Sequence, residues 1–295
     1  MKKFTLLLLI PMLYTGCNPT ENKEITSDVS QEKDNLATMI DSLMYFRQTY
    51  QQTDLLSRYK PDLGMEEAYA IQKLILEEEL KKGHTIAGYK MGGTVTTVES
   101  EFKPMFGFIL DKNIVENDST VSVKNFPGGS TMVEGEVGFI LGKDFPNGVE
   151  TMDELKAGIQ SIVGGVEFAK PLAIAPENNE AAFSTNHVIA TGLAQAGTMK
   201  GSVGAAVEGF DFENEIVQCY INDTLAAEGN GGKIFGTPLN ALFWLANELP
   251  KHGLSLQSGM VVITGGLYQN PIIDGPADVR LEFTTLGTIR FKAGE

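Results

Sequence analysis

Histidine, cysteine, tryptophan and basic side chains are all scarce in this chain, and each scarcity closes off a class of chemistry. The only cysteines are Cys17 and Cys219, too few for a disulfide framework, and no C-x-x-C zinc pattern exists. The only histidines are His84, His187 and His252, and they form no H-E-x-x-H cluster. No G-x-S-x-G elbow supports a serine hydrolase. Lysine and arginine number 23 against 38 acids, a net charge of −15. So acidic a surface repels phosphate and argues against a nucleic-acid partner. It leaves open a small anionic substrate held by a local cation. What is abundant is glycine, 32 residues of 295, with 42% hydrophobic content. That balance suits a strand-rich globular protein with many turns.

The N-terminus reads as a targeting segment. Lys2 and Lys3 precede an apolar core, Phe4 to Leu13, too short to span a bilayer comfortably. It ends in Leu13-Tyr14-Thr15-Gly16-Cys17, which resembles a bacterial lipoprotein signal. On that reading residues 1–17 are signal peptide and lipobox, and Cys17 carries the lipid. Asn18 after the cysteine fits an outer-membrane destination, so membrane contact is through the anchor alone. An ordinary secretory signal with a chance cysteine is the alternative. Residues 18–35 are polar and acidic without periodicity and read as a flexible tether. One domain, 36–295, follows.

Within that domain Leu36, Met39, Ile40, Leu43, Met44 and Phe46 recur at helical spacing. Lys60-Pro61-Asp62-Leu63-Gly64 breaks the pattern before a second helix, Met65 to Lys82. Ala68, Ile71, Leu74, Ile75 and Leu80 are its expected buried positions. Short strands are expected at Thr85–Thr94, Pro104–Leu110, Thr120–Val123, His187–Gly192, Ile216–Ile221 and Met260–Thr264, with a closing hairpin from Val279 to Lys292. Met152 to Ile162 reads as a helix and Pro171 to Phe183 as a long loop or lid. Thr237 and Pro238 form an N-cap and N1 pair that starts a helix with a broad apolar face, in which Trp244 is expected to be core.

The chemistry concentrates in TMVEGEVGFILGKD, Thr131 to Asp144. Strand alternation sets Glu134 and Glu136 side by side on one face. An apolar strand tolerates adjacent carboxylates when a cation or donors neutralise them. Glu167, the single acid in IVGGVEFAK, is a third candidate. Hard divalent ions such as Mg²⁺ or Mn²⁺ prefer this donor set. A solvated face of an edge strand would also explain the pair. Lys90 is a lone cation in the apolar, glycine-rich TIAGYKMGGT. It is either a surface lysine on an edge strand or a lysine of lowered pKa held near a metal or substrate for proton transfer.

Five motifs then occur in order: Ala68-Tyr69-Ala70-Ile71-Gln72; Gly88-Tyr89-Lys90-Met91-Gly92; Val133-Glu134-Gly135-Glu136; Gly236-Thr237-Pro238-Leu239-Asn240-Ala241 with Trp244-Leu245-Ala246; and Thr264-Gly265-Gly266-Leu267. Together they resemble the 2-keto-4-pentenoate hydratase and 4-oxalocrotonate decarboxylase branch of the fumarylacetoacetate hydrolase superfamily. The resemblance implies an α+β fold, a mixed β-roll with helices packed outside. It implies a Mg²⁺ or Mn²⁺ site at Glu134, Glu136 and Glu167, an active-site lysine at Lys90, and a homo-oligomer. It also implies substrate contacts at Asn186, Thr264, Gly265 and Leu267. Two positions depart from the branch. Its P-D-[FY]-G motif reads Pro104-Met105-Phe106-Gly107, and its D-N-A-S reads Ser184-Thr185-Asn186-His187, so both aspartates are missing.

The implied activity is a metal-dependent lyase on a small 2-keto (2-hydroxydienoic) acid, hydratase or decarboxylase in type. A divalent ion chelates the carboxylate and 2-oxo oxygens and stabilises the enolate, with Lys90 moving the proton. The alternatives are an acylpyruvate C–C hydrolase, which the scarcity of histidine disfavours, and a surface lipoprotein that binds a small acid without turnover, which the missing aspartates favour.

Overall fold

The computed structural model describes residues 19–95 and 103–295, with side chains described from residue 34 onward. Cys17 and the signal segment lie outside the described residues. Among those described, no helix is long and apolar enough to cross a membrane. By contacts the chain divides into two units, Met1–Met39 and Ile40–Glu295.

In place of the tether expected over 18–35, the backbone is helical from Pro19, in α1 (Pro19–Gln48). Ile25 and Val29 are the aliphatic residues of the segment, too few for an apolar stripe, so hydrophobic periodicity does not register it. Further along α1, Ile40, Leu43 and Met44 are buried, as their spacing requires. A short α2 (Leu55–Tyr59) precedes α3 (Met65–Lys81). Glu66 and Glu67 sit in the first turn of α3, and Gly83 follows its end at φ 92°, a conformation that suits glycine. Ala68, Ile71 and Ile75 are buried as expected, but Leu80 is exposed. Tyr69 and Leu76 take the inward positions instead, because the buried stripe drifts by one residue along the helix.

The strands follow as β1 (Ile86–Gly92), β2 (Met105–Leu110), β3 (Thr120–Ser122) and β4 (Thr131–Leu141). Then come α4 (Met152–Ala157), β5 (Ile159–Ala169), α5 (Thr185–Ala190), β6 (Gln195–Ala205), β7 (Ile216–Ile221) and β8 (Thr224–Asn230). α6 (Pro238–Glu248), β9 (Val261–Ile263), β10 (Ile272–Ile273), β11 (Ala277–Phe283) and β12 (Gly287–Gly294) complete the chain. One sheet has the order β2-β1-β9-β4-β5-β6, with β10 paired to β4; the other runs β3-β12-β11-β7-β8. β1–β9 and β3–β12 are parallel and the remaining pairs antiparallel, so both sheets are mixed.

The core lies where the sheets face each other. Val133, Val137 and Phe139 of β4 are fully buried. Phe168 of β5 meets Phe291 of β12 edge to face at 4.9 Å. Gly135 makes this approach possible, since a Cβ there would stand 2.8 Å from Tyr268 and 3.0 Å from Leu281. Alternation then sends Glu134 and Glu136 to the opposite face of the same strand.

Residues 187–192, expected to be a strand, belong instead to α5 and the turn after it. A six-residue apolar run carries too little periodicity to separate helix from strand. Capping decides: Ser184 Oγ lies 3.1 Å from His187 Nδ1, and that ring nitrogen accepts from Ser184 N at 3.0 Å. The helix expected over 152–162 stops at Ala157, and β5 begins two residues later. Thr237 caps α6 through a bond from Asn240 N, with Pro238 at its first turn, as expected. Trp244 is only half-buried.

Candidate functional site

Register builds the site. β4 and β5 pair antiparallel with Glu134 opposite Glu167 and Glu136 opposite Gly165. Paired residues share a face, so three carboxyl groups converge and glycine leaves room beside them. Glu134, Glu136 and Glu167 each offer an oxygen within 4.8 Å of the others. Glu136 and Glu167 have no exposed surface. Lys90 comes from β1, two strands away from β4 in the sheet, and is 5% exposed. Its Nζ stands 3.0 Å from Glu167 Oε2 and donates to Leu193 O at 2.9 Å.

The turn after β9 supplies donors. Gly265 N donates to Glu136 Oε2 at 2.5 Å. Thr264 Oγ1 donates to Val137 O at 2.9 Å, and Thr94 Oγ1 to Thr264 O at 2.7 Å, which fixes the turn on β4. Gly265 has φ 118°, a conformation that favours glycine. At Gly266 a Cβ would stand 2.8 Å from Glu134 Oε2 and 3.2 Å from Asn270 Oδ1. Thr264 and Gly265 are therefore at the cluster. Leu267 contributes backbone: its N donates to Gly135 O at 3.0 Å while its side chain is buried. Asn186 is spent elsewhere, donating to Leu63 O at 2.8 Å and tying α5 to the turn before α3.

One ammonium among three carboxyl groups leaves the cluster short of positive charge. Burial pushes Glu134 up, against the pull of Lys90. Burial, then repulsion from Glu167 and Glu134, holds Glu136 well above the usual carboxylate range. Burial also raises Glu167, to about 8, despite the Lys90 ammonium. Lys90 is raised too, not lowered as expected. Burial is the largest influence and works downward, but Glu167, Glu134 and Glu136 together outweigh it.

Glu136 Oε1 and Glu167 Oε1 are buried and have no hydrogen-bond partner among the described residues, and Asn270 Oδ1, near Gly266, is likewise unpaired. Such atoms are costly unless something satisfies them. A hard divalent cation fits: all-oxygen donors, three carboxyls and compact spacing.

The departures also find their places. Met105 pairs with Gly92, and Gly107 with Lys90, so Met105 stands on the face of β1–β2 that carries Lys90. Its Cε lies 2.9 Å from where a Gly93 Cβ would be. Thr185 opens α5 and is exposed. No histidine serves the cluster. His84 faces Asp111 at 3.3 Å, His187 Nε2 faces Lys60 O at 2.9 Å, and His252 faces Glu248 at 3.2 Å. The loop from Pro171 is pinned at its start, with Ile174 N donating to Thr53 O at 3.0 Å and Ser57 Oγ to Ile174 O at 2.7 Å.

Sequence reasoning missed Asn270, Gly266 and the Leu193 carbonyl. The one signal was Asn270-Pro271, which reads only as a turn.

No protein-family model matches the chain. It is 26% identical over 212 residues to a 2-keto-4-pentenoate hydratase of Paraburkholderia xenovorans, covering 70% of this chain and 76% of the relative. It is 25% identical over 230 residues to a 2-hydroxyhexa-2,4-dienoate hydratase of Comamonas testosteroni, covering 77% and 84%. Among solved structures, 4-oxalocrotonate decarboxylase from Pseudomonas putida G7, complexed with magnesium and adipate, superposes at TM-score 0.77 with 20% identity over 88% of this chain and 98% of that one. A fumarylacetoacetate hydrolase family protein from Yersinia pestis superposes at 0.52 with 14% identity over 71% and 93%. The likeness establishes the fold: the α+β mixed β-roll expected from the sequence.

Proposed function

We propose that this chain is a divalent-metal-dependent lyase acting on a small 2-keto (2-hydroxydienoic) acid, of hydratase or decarboxylase type. The observation that carries it is the convergence of Glu134, Glu136 and Glu167, the last two fully buried with unpartnered oxygens, and of Lys90, 3.0 Å from Glu167. The hydratase relatives and the magnesium complex of the decarboxylase support the same reading.

The three glutamates would hold the ion, Mg²⁺ or Mn²⁺. Such an ion supplies Lewis acidity to a 2-oxo acid bound through its carboxylate and keto oxygens, which acidifies the neighbouring C–H. The residues do the rest. Gly265 N–H orients Glu136. Leu193 O and Glu167 orient the Lys90 ammonium, which holds and moves the proton at C3 of the substrate. Burial of the cluster excludes water from the charged groups and strengthens every interaction among them. With Met105 on the face of β1–β2 that carries Lys90, Lys90 is the basic group there to carry protons. The absence of a histidine from the cluster, among the described residues, counts against the C–C hydrolase alternative. A non-catalytic acid-binding protein would retain the glutamates but show no proton exchange.

Solvent deuterium exchange at C3 of pyruvate-like 2-keto acids, followed by NMR with and without Mg²⁺ or Mn²⁺, tests the reading without knowledge of the true substrate. Metal-dependent exchange is expected. Metal binding without exchange would establish the binding-protein alternative instead.

Cys17 is assigned here as the lipid acceptor that anchors the domain in a bacterial cell envelope; the run Leu13 to Cys17 supports this. Replacing Cys17 by Ser should release the protein from the membrane fraction, and retention there would remove the assignment.

A further inference from the structure

Three consecutive residues between α5 and β6 have left-handed backbones: Gly192 at φ 96°, Leu193 at 55° and Ala194 at 62°. Ending a helix takes one such residue, and glycine fills that place at little cost. Leu193 and Ala194 go further than the helix end requires. Each brings its Cβ close to the following carbonyl oxygen, a conformation that persists only where the surroundings enforce it. The turn lies against the strand beside Lys90. A Cβ on Gly107, the β2 residue paired with Lys90, would stand 2.6 Å from Gly192 O and 3.0 Å from Leu193 Cβ.

Hydrogen bonds hold this turn on several sides. Leu193 N donates to Val188 O at 2.7 Å, and Lys170 N donates to Ala194 O at 2.7 Å. Leu193 O accepts from Lys90 Nζ at 2.9 Å. From α1, Arg47 Nη1 donates to Thr191 O at 3.3 Å, and the same nitrogen would stand 3.3 Å from a Cβ on Gly192. Arg47 is itself fixed, by Glu79 at 3.2 Å and by the Phe108 ring at 5.3 Å. A rigid guanidinium therefore bears on a turn that would relax if released, and one carbonyl of that turn steadies the ammonium of Lys90.

We propose that Arg47 is a positioning residue for Lys90. By clamping Thr191 O it keeps Gly192, Leu193 and Ala194 left-handed, which holds Leu193 O on the ammonium and the ammonium on Glu167. Its effect on proton transfer rests on the lyase reading above; its hold on the ammonium does not. The strain supplies the signature. Glycine adopts a left-handed backbone without enforcement, so glycine at position 194 should make the clamp dispensable.

The test reads the full chain in two ways. One is the discrete ¹⁵N resonance of the Lys90 ammonium in metal-free protein, assigned by its loss in Lys90→Met. The other is deuterium exchange at C3 of pyruvate with Mg²⁺. Arg47→Met should abolish the resonance and slow the exchange by about tenfold to a hundredfold, the scale of a small misplacement. Mg²⁺ affinity should hold, because the turn carries no carboxylate. Adding Ala194→Gly should restore most of both signals although it replaces no contact of Arg47; a general loss of stability would not be recovered by removing a methyl group. Lys112→Met breaks the other ion pair of Glu79, at 2.6 Å, without touching the turn, and should change neither signal. Should Arg47→Met fail to fold, its combination with Glu79→Gln removes both buried charges and serves instead. Absence of the resonance from the parent, its persistence without Arg47, a loss that Ala194→Gly does not recover, or an equal loss in Lys112→Met overturns the inference. A parent whose resonance depends on Arg47 but which shows no exchange supports the clamp and overturns the lyase reading alone.

Discussion

Glu136 is buried with two other carboxyl groups and one ammonium for neighbours, so it costs the metal-free protein stability. Glu136→Gln keeps the shape and the acceptor for Gly265 N while removing the charge. Divalent-ion affinity by calorimetry should fall below detection, and the metal-free protein should melt higher. About 1 kcal/mol of relief raises Tm by about 2–4 °C in a domain of this size. A residue needed only for folding would lower Tm instead. Lys90→Met tests the partner. It removes a cation that competes with the metal for Glu167, so metal affinity should hold or rise. Exchange at C3 should fall by about 10²- to 10⁴-fold, the usual contribution of a positioned acid–base group. Exchange at the parent rate would show that Lys90 is not the proton carrier. The sequence alone shows these residue types; it does not show that Lys90, separated from Glu167 by 76 positions of chain, ends within 3.0 Å of it.

α5 shows where local sequence outweighs apparent pattern. The run His187–Gly192 looks like a short strand, yet Ser184 and His187 cap a helix over Thr185–Ala190, and Asn186 fastens it to Leu63 O. Ser184→Ala should cost about 0.5–2 kcal/mol, read as a lower denaturation midpoint, with metal affinity unchanged because α5 holds no ligand. Loss of metal binding would show that the helix positions the cluster. The β4–β5 pair behaves oppositely. Its alternation is plain in the sequence, and a slip of β4 by one residue would turn Glu134 and Glu136 into the inter-sheet core and away from Glu167.

The whole molecule couples metal, protons and stability. The three acids are raised, Glu167 to about 8, so the metal-free native state holds protons that the unfolded chain has already released. A carboxyl with a raised folded pKa contributes stability at pH below its usual value of about 4.5 and loses it as pH climbs toward about 8. A bound cation takes the place of those protons. The rise in Tm on adding Mg²⁺ should therefore grow between about pH 5.5 and pH 8, measured by thermal melts at matched ionic strength. A metal-induced shift independent of pH would mean the ion binds away from these carboxyls.

By itself the sequence determined what is local or periodic. It placed α3 and α6 by spacing and caps, β4 by alternation, and the acids Glu134, Glu136 and Glu167 by their rarity in apolar strands. Five short motifs added the fold. Only the tertiary structure decided which distant groups share a space. Lys90 reaches Glu167 because β9 pairs in parallel with β1 while pairing antiparallel with β4, a pairing no local signal announces. Asn186 donates to Leu63 O, 123 positions away, and Asn270 stands beside Gly266 at the cluster. Hydrogen-bond satisfaction and charge balance depend on every neighbour in space, and a linear chain lists only the neighbours along it.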